Sequence, residues 1–127
     1  MKKLLCSLFA LSAVSTAMAQ EVNIKLLGTS DIHGRVVPWS YGADVEDKSG
    51  SYAQIATYVK DVRKNNKNVV LVDVGDAIQD NQVDVFAKDK KYYKDHPIPK
   101  VLNEMKYDVF VLGNHEFNFG MKALDEI

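Results

Sequence analysis

The chain has 127 residues, 46% of them hydrophobic and 26% charged, with one cysteine and a formal net charge of −1. That balance excludes a strongly basic protein that grips nucleic-acid polymers by neutralising phosphates, and the apolar share excludes a disordered chain. The length fits one domain at most.

The chain opens on an export address. Lys2 and Lys3 precede an apolar run over residues 4–14, and Ala17-Met18-Ala19 supplies the small-x-small pattern that signal peptidase cleaves. Residues 1–19 are therefore expected to be a signal peptide, with Gln20 beginning an exported, periplasmic or secreted chain. The run is shorter than the ~20 residues that span a bilayer, so no membrane anchor is expected after cleavage. Cleavage removes two lysines, Cys6 and no acid, leaving 108 residues with a net charge of −3 and no cysteine. A disulfide framework, a thiolate metal site and a cysteine nucleophile are thereby excluded. Any metal must be held by His, Asp, Glu, Asn or water.

The mature region alternates strand and helix. Residues 22–29 read as a strand, alternating at Val22, Ile24 and Leu26 and continuing apolar through Leu27. Residues 36–50 carry Pro38, Gly42, Gly50 and several charges, and read as a surface loop. The spacing predicts a helix over residues 51–64, with Ser51 as its cap, Gln54 as the capping-box partner and Tyr52, Ile55, Val59 and Val62 on one face. Lys60, Arg63 and Lys64 suit its C-terminal dipole. Residues 69–74 form a second apolar strand, and a short helix is expected near residues 82–87. Residues 88–96 are strongly charged and read as a solvated connection, with His96 as a surface turn residue and Tyr92 and Tyr93 covering the core. A helix is predicted over residues 97–106, with Pro97 in its first turn and Ile98, Val101, Leu102 and Met105 facing inward. Residues 109–112 form a third strand. This order implies an α/β fold with a βαβαβ parallel sheet and crossover helices.

Each strand runs into a polar cluster. The first leads to Asp31-Ile32-His33-Gly34, the second to Gly75-Asp76 and Gln79, and the third to Gly113-Asn114-His115-Glu116. Ligands in open parallel sheets bind beyond the carboxyl ends of the strands, so clusters 45 and 38 residues apart in sequence are expected to converge. An Asp-x-His pair turns a carboxylate and an imidazole to one side and can supply oxygen and nitrogen to a borderline divalent metal. Asp76 can bridge two metals, Asn114 offers a neutral oxygen, and His115 can donate a proton. Two metals about 3.5–4 Å apart can clamp a phosphate ester. Asp-x-His after a strand also occurs by chance and Gly-Asp as ordinary turn chemistry, whereas adjacent polar residues after an apolar strand have little packing rationale. Trp39 reads as loop packing. Arg35 lies where a phosphate contact and a surface role are both open.

The segments "LLGTSDIHGR", "LVDVGDAIQ" and "YDVFVLGNHEF", in that order, resemble the calcineurin-like metallophosphoesterases, specifically the exported 5′-nucleotidase family. Asn118 in "GNHEFNFG", the "HPIPKVLNEMKYD" stretch and "SDIHGRVVPWSY" lean toward its 2′,3′-cyclic-nucleotide 2′-phosphodiesterase/3′-nucleotidase branch. The resemblance implies the N-terminal part of a four-layer α/β/β/α sandwich. It implies two divalent ions, of zinc, manganese, iron or cobalt, held by Asp31, His33, Asp76 as bridge and Asn114. His115 would be the catalytic residue, stabilising the phosphoryl group or protonating the leaving oxygen, with Glu116 supporting the loop. Hydrolysis of a nucleotide or cyclic-nucleotide ester would follow by attack of a metal-bound hydroxide. Asp80 departs from the family, which commonly carries Gly there.

The family's later metal-binding histidines and its nucleoside-binding domain do not occur in these 127 residues. Residues 20–127 are therefore expected to be the N-terminal portion of the catalytic domain, with negligible phosphatase activity alone and with a sheet edge and part of the core facing water. Two other readings are a non-catalytic metal-binding module and an enzyme of the same scaffold acting on a 5′-nucleotide, a nucleotide sugar or another ester.

Overall fold

The computed structural model describes residues 20–127; the leader assigned to residues 1–19 lies outside them. Three strands, β1 (Lys25–Thr29), β4 (Val69–Asp73) and β5 (Val109–Phe110), form a parallel sheet in the order β1-β4-β5. This is the parallel α/β arrangement that the apolar runs imply. The ladder is shorter than the apolar runs at both ends. Lys25 aligns with Val69, the first residue of β4, so residues 22–24 have no strand to pair with. β5 pairs only with Val72 and Asp73, where β4 ends.

The predicted surface loop over residues 36–50 contains a small antiparallel pair, β2 (Trp39–Ser40) and β3 (Val45–Glu46), in which Trp39 lies opposite Glu46. Two-residue strands are too short to produce an alternating pattern, which is why the segment reads as loop.

Helix α1 spans Tyr52–Asn65, and Ser51 caps it by accepting the Gln54 backbone N–H. The reciprocal half of the capping box is altered. Gln54 Oε1 accepts the Ser51 hydroxyl at 3.0 Å, and its amide nitrogen donates to the Lys48 carbonyl at 3.3 Å. The cap thus also ties down the loop before α1. The helix's far end is fixed by Arg63, which donates to the Met105 and Lys106 carbonyls at 2.6 and 2.8 Å.

Beyond the sheet, α2 covers Asp84–Lys88, α3 covers Pro97–Glu104 and α4 covers Met121–Glu126. The core forms where Tyr52 of α1 and Ile98 and Leu102 of α3 meet Ala77, Ile78, Val83 and Met105. Leu71 on β4 is fully buried beneath the helices. α1 packs on the Leu71 side, and other apolar residues of the sheet are open among the described residues: Leu26 is 71% exposed, and Val109 and Val111 are about half exposed. Runs of apolar residues of this type are normal for a sheet covered on both faces. Among the described residues no helix is long and apolar enough to cross a membrane.

His96 corrects the sequence reading most sharply. It is 1% exposed rather than a surface turn residue. The charged segment before it forms a 3-10 helix over Lys90–Asp95, and the chain then turns inward. His96 Nδ1 accepts the Ile98 N–H at the start of α3, and its ring meets Phe86 edge-on at 6.1 Å. Polar neighbours in sequence hid a burial imposed by residues distant from it. Burial lowers the imidazole pKa from 6.5 to about 4. Between those values the unfolded chain binds the extra proton, so the stability contributed by neutral His96 is present above pH 6.5 and is lost as pH falls toward 4. Asn in its place keeps a capping oxygen and does not titrate. Urea midpoints should therefore fall more steeply between pH 6.5 and 4 for the wild-type chain than for His96→Asn.

Candidate metal centre

All three parallel strands end at one edge of the sheet, and the loops that leave them are fastened together by their backbones. Asp31 N–H donates to the Gly75 carbonyl at 3.1 Å and His33 N–H to the Asp76 carbonyl at 3.0 Å. Asp31, His33 and Asp76 adopt positive φ angles of 55°, 49° and 57°. Non-glycine residues enter this left-handed region only when surrounding contacts hold them there. The strain turns three side chains toward one point: ligand atoms of Asp31, His33 and Asp76 lie within 4.8 Å of one another.

The second and third loops are joined by Glu116. Its carboxylate is fully buried, and it accepts backbone N–H groups from Asp76 and Gly113 at Oε2, both at 2.7 Å, and from Ala77 and Ile78 at Oε1, at 2.7 and 3.3 Å. Four donors match the capacity of an ionised carboxylate, and convergent backbone N–H groups replace the water it would otherwise keep. The junction demands glycine. A Cβ on Gly75, whose φ is 97°, would sit 2.1 Å from the Gly113 nitrogen, and one on Gly113 would sit 2.3 Å from Asp76 Oδ1.

A polar network supports the site from below. Asp73, buried at the end of β4, accepts the Thr29 hydroxyl at 2.6 Å, the Tyr52 hydroxyl at 3.3 Å and the Gly75 N–H at 2.9 Å. The Tyr107 hydroxyl lies 2.9 Å from Thr29 Oγ1. Burial pushes the Asp73 carboxyl above its ordinary range and raises both tyrosine hydroxyls as well. Asp73 is absent from the sequence-level candidates because it reads as one more residue of an apolar strand. Its only sequence signal is a carboxylate placed where a buried run should continue.

The third cluster is positioned through backbone contacts. His115 N–H donates to Asp76 Oδ1 at 2.8 Å, which places His115 beside the triad. Its ring meets His33 edge-on at 5.3 Å, and its Nδ1 lies 3.1 Å from Gln79 Oε1 and 2.9 Å from the Asn118 amide nitrogen. Asn118 also donates to Gln79. Asn114 is exposed at the start of a 3-10 helix over His115–Phe117, adjoining the site through its neighbour His115. Arg35 is engaged away from the triad, with Ser49, the Gly50 carbonyl and the Asp47 carboxylate at 3.7 Å. Trp39 is 39% exposed and lines a cavity of about 250 Å³ with Gly34, Val83 and Phe86.

The donor set suits a divalent cation. Two carboxylates and one imidazole converge on strained backbone, and His33 Nδ1 is a buried atom without a hydrogen bond among the described residues.

Comparison with known proteins identifies the family. The family model described as "Calcineurin-like phosphoesterase" matches residues 24–126. The trifunctional nucleotide phosphoesterase protein YfkN of Bacillus subtilis is 40% identical over 115 residues, covering 84% of this chain and 8% of that protein. Its crystal structure matches with a TM-score of 0.73 over 81% of this chain and 33% of the solved one. The 2′,3′-cyclic-nucleotide 2′-phosphodiesterase/3′-nucleotidase of Haemophilus influenzae is 37% identical over 123 residues, covering 93% of this chain and 19% of that protein. Human 5′-nucleotidase is 32% identical over 128 residues, with 94% and 20% covered. The chain thus spans a fifth or less of these relatives' length.

The glycine contacts yield a direct test. Gly113→Ala should displace the Asp76 carboxylate and cost about 1–3 kcal/mol, as other overpacked sites do, read as a lower urea midpoint. A midpoint equal to wild type would show that the loops are not in close contact.

Proposed function

Because the chain belongs to the calcineurin-like phosphoesterase family, whose members bind divalent metal ions, we propose that it contributes metal ligands and an acid catalyst to the hydrolysis of nucleotide phosphate esters. The convergence of Asp31, His33 and Asp76 carries this reading. The preferred substrates are 2′,3′-cyclic nucleotides and 3′-nucleotides, supported by the Haemophilus influenzae relative and by Asn118 in the third motif. A 5′-nucleotide preference is the second reading, supported by the similarity to human 5′-nucleotidase.

Asp31 and His33 would hold one divalent ion, and Asp76 and Asn114 would supply ligands for a second. When bound, such ions polarise phosphoryl oxygens and activate water for hydrolysis. His115 has its Nδ1 against Gln79 and Asn118, which leaves Nε2 to face substrate. From there it hydrogen-bonds the phosphoryl group and protonates the departing oxygen. Glu116 does not meet substrate; it keeps Asp76 and the His115 loop in register. Residues 1–19 direct export, and N-terminal sequencing of the secreted form should begin at Gln20.

Activity is tested by joining residues 20–127 to the remainder of the Haemophilus influenzae relative and supplying manganese. Turnover should be highest with 2′,3′-cyclic AMP and 3′-AMP, and Asp76→Asn should lower it by more than the roughly 10-fold that loss of a ligand's partner can cost. Turnover of 5′-AMP or a nucleotide sugar alone would favour the second reading. Metal uptake without hydrolysis of any of the four would leave a binding module.

A further inference from the structure

The second loop carries another carboxylate beside the triad. Asp80 Oδ2 lies 3.5 Å from His33 Nδ1, while Nε2 of the same ring lies 3.9 Å from Asp31 Oδ1. The two ring nitrogens therefore face different partners: Nε2 the convergent ligand atoms, Nδ1 Asp80. Nδ1 is buried and makes no hydrogen bond among the described residues. We propose that Asp80 is a positioning residue that keeps the His33 proton on Nδ1 and so presents the Nε2 lone pair to a divalent cation. This rests on the metal-binding reading given above.

The backbone around Asp80 supports the assignment. Asp80 has φ 76°, a left-handed conformation in a non-glycine residue. Its N–H donates to Asp84 Oδ1 at 2.9 Å, and Asp84 in turn pairs with Lys88 at 3.3 Å. The start of α2 thus fixes the residue whose carboxylate reaches His33. The His115 ring, edge-on at 5.3 Å, borders the imidazole as well.

A hydrogen bond closed at this contact permits only one proton arrangement. An ionised carboxylate accepts hydrogen bonds and cannot donate them. A neutral imidazole that hydrogen-bonds it carries its proton on Nδ1, leaving Nε2 as the ligand atom. The partner of one ring nitrogen sets the tautomer and orientation of a metal-ligating histidine in this way. Asp80 is half exposed, so its carboxylate has room to close the 3.5 Å contact by about half an ångström into hydrogen-bond range.

The tautomer can be read without any metal. In the cation-free chain, ¹⁵N chemical shifts should report neutral His33 with its proton on Nδ1. Asp80→Gly removes the carboxylate while accepting the positive φ. The proton should then move to Nε2, and manganese affinity measured by calorimetry should fall about 10–100-fold. Asp80→Asn, which offers an acceptor oxygen in the same place, should restore much of both. An unchanged His33 tautomer in Asp80→Gly would overturn the proposal. Weakened manganese binding with that tautomer unchanged would also overturn it, and would make Asp80 a direct ligand. If the tautomer responds but the wild-type chain takes up neither manganese nor zinc, the metal-binding reading fails while the Asp80 contact stands.

Discussion

The Glu116 carboxylate is the constraint around which the loops are arranged. It comes from the third loop and accepts four backbone N–H groups, three of them from the second loop. A buried carboxylate is costly unless its oxygens are fully hydrogen-bonded. The lowest-energy arrangement therefore holds residues 76–78 and Gly113 around it. That requirement explains the glycines at positions 75 and 113, since a Cβ at either would collide with the opposing loop. It also explains how Asp76 keeps a positive φ while its carboxylate accepts the His115 N–H. Packing and prospective chemistry meet in this one group.

A second polar network, centred on Asp73, stands beneath it. Thr29 ties β1 to β4, Tyr52 ties α1 to the same carboxylate, and Tyr107 reaches Thr29 from the segment before β5. The strand ends are thus fixed to one another just before the loops begin. The first loop then fastens to the second through the Asp31 and His33 N–H groups. Ligand atoms from positions 31, 33 and 76 come within 4.8 Å because each link below them is already constrained.

Much of this architecture was legible in the sequence because it depends on local patterns. Apolar runs marked the three parallel strands, Ser51 marked the start of α1, and the polar residues that follow each strand marked the convergent edge. What was hidden depends on distant partners. His96 sits among charges in sequence yet is buried against Phe86 and caps α3. Asp73 looked like part of an apolar strand but collects donors from both β1 and α1. Gln54 was legible as a cap partner, whereas its bond to Lys48 was not, because loop conformation decides it. Asp80 could be noticed as a departure from the family, but its approach to His33 requires the folded loop.

Backbone amide hydrogen exchange in Glu116→Gln tests most directly whether this carboxylate organises the loops. Glutamine offers one acceptor oxygen where glutamate offers two, and it turns an amide donor toward backbone donors. The account predicts selectively faster exchange at Asp76, Ala77, Ile78 and Gly113, extending to the His33 and His115 amides that bond to Asp76, with β4 remaining protected. Unchanged protection at those four amides would contradict it.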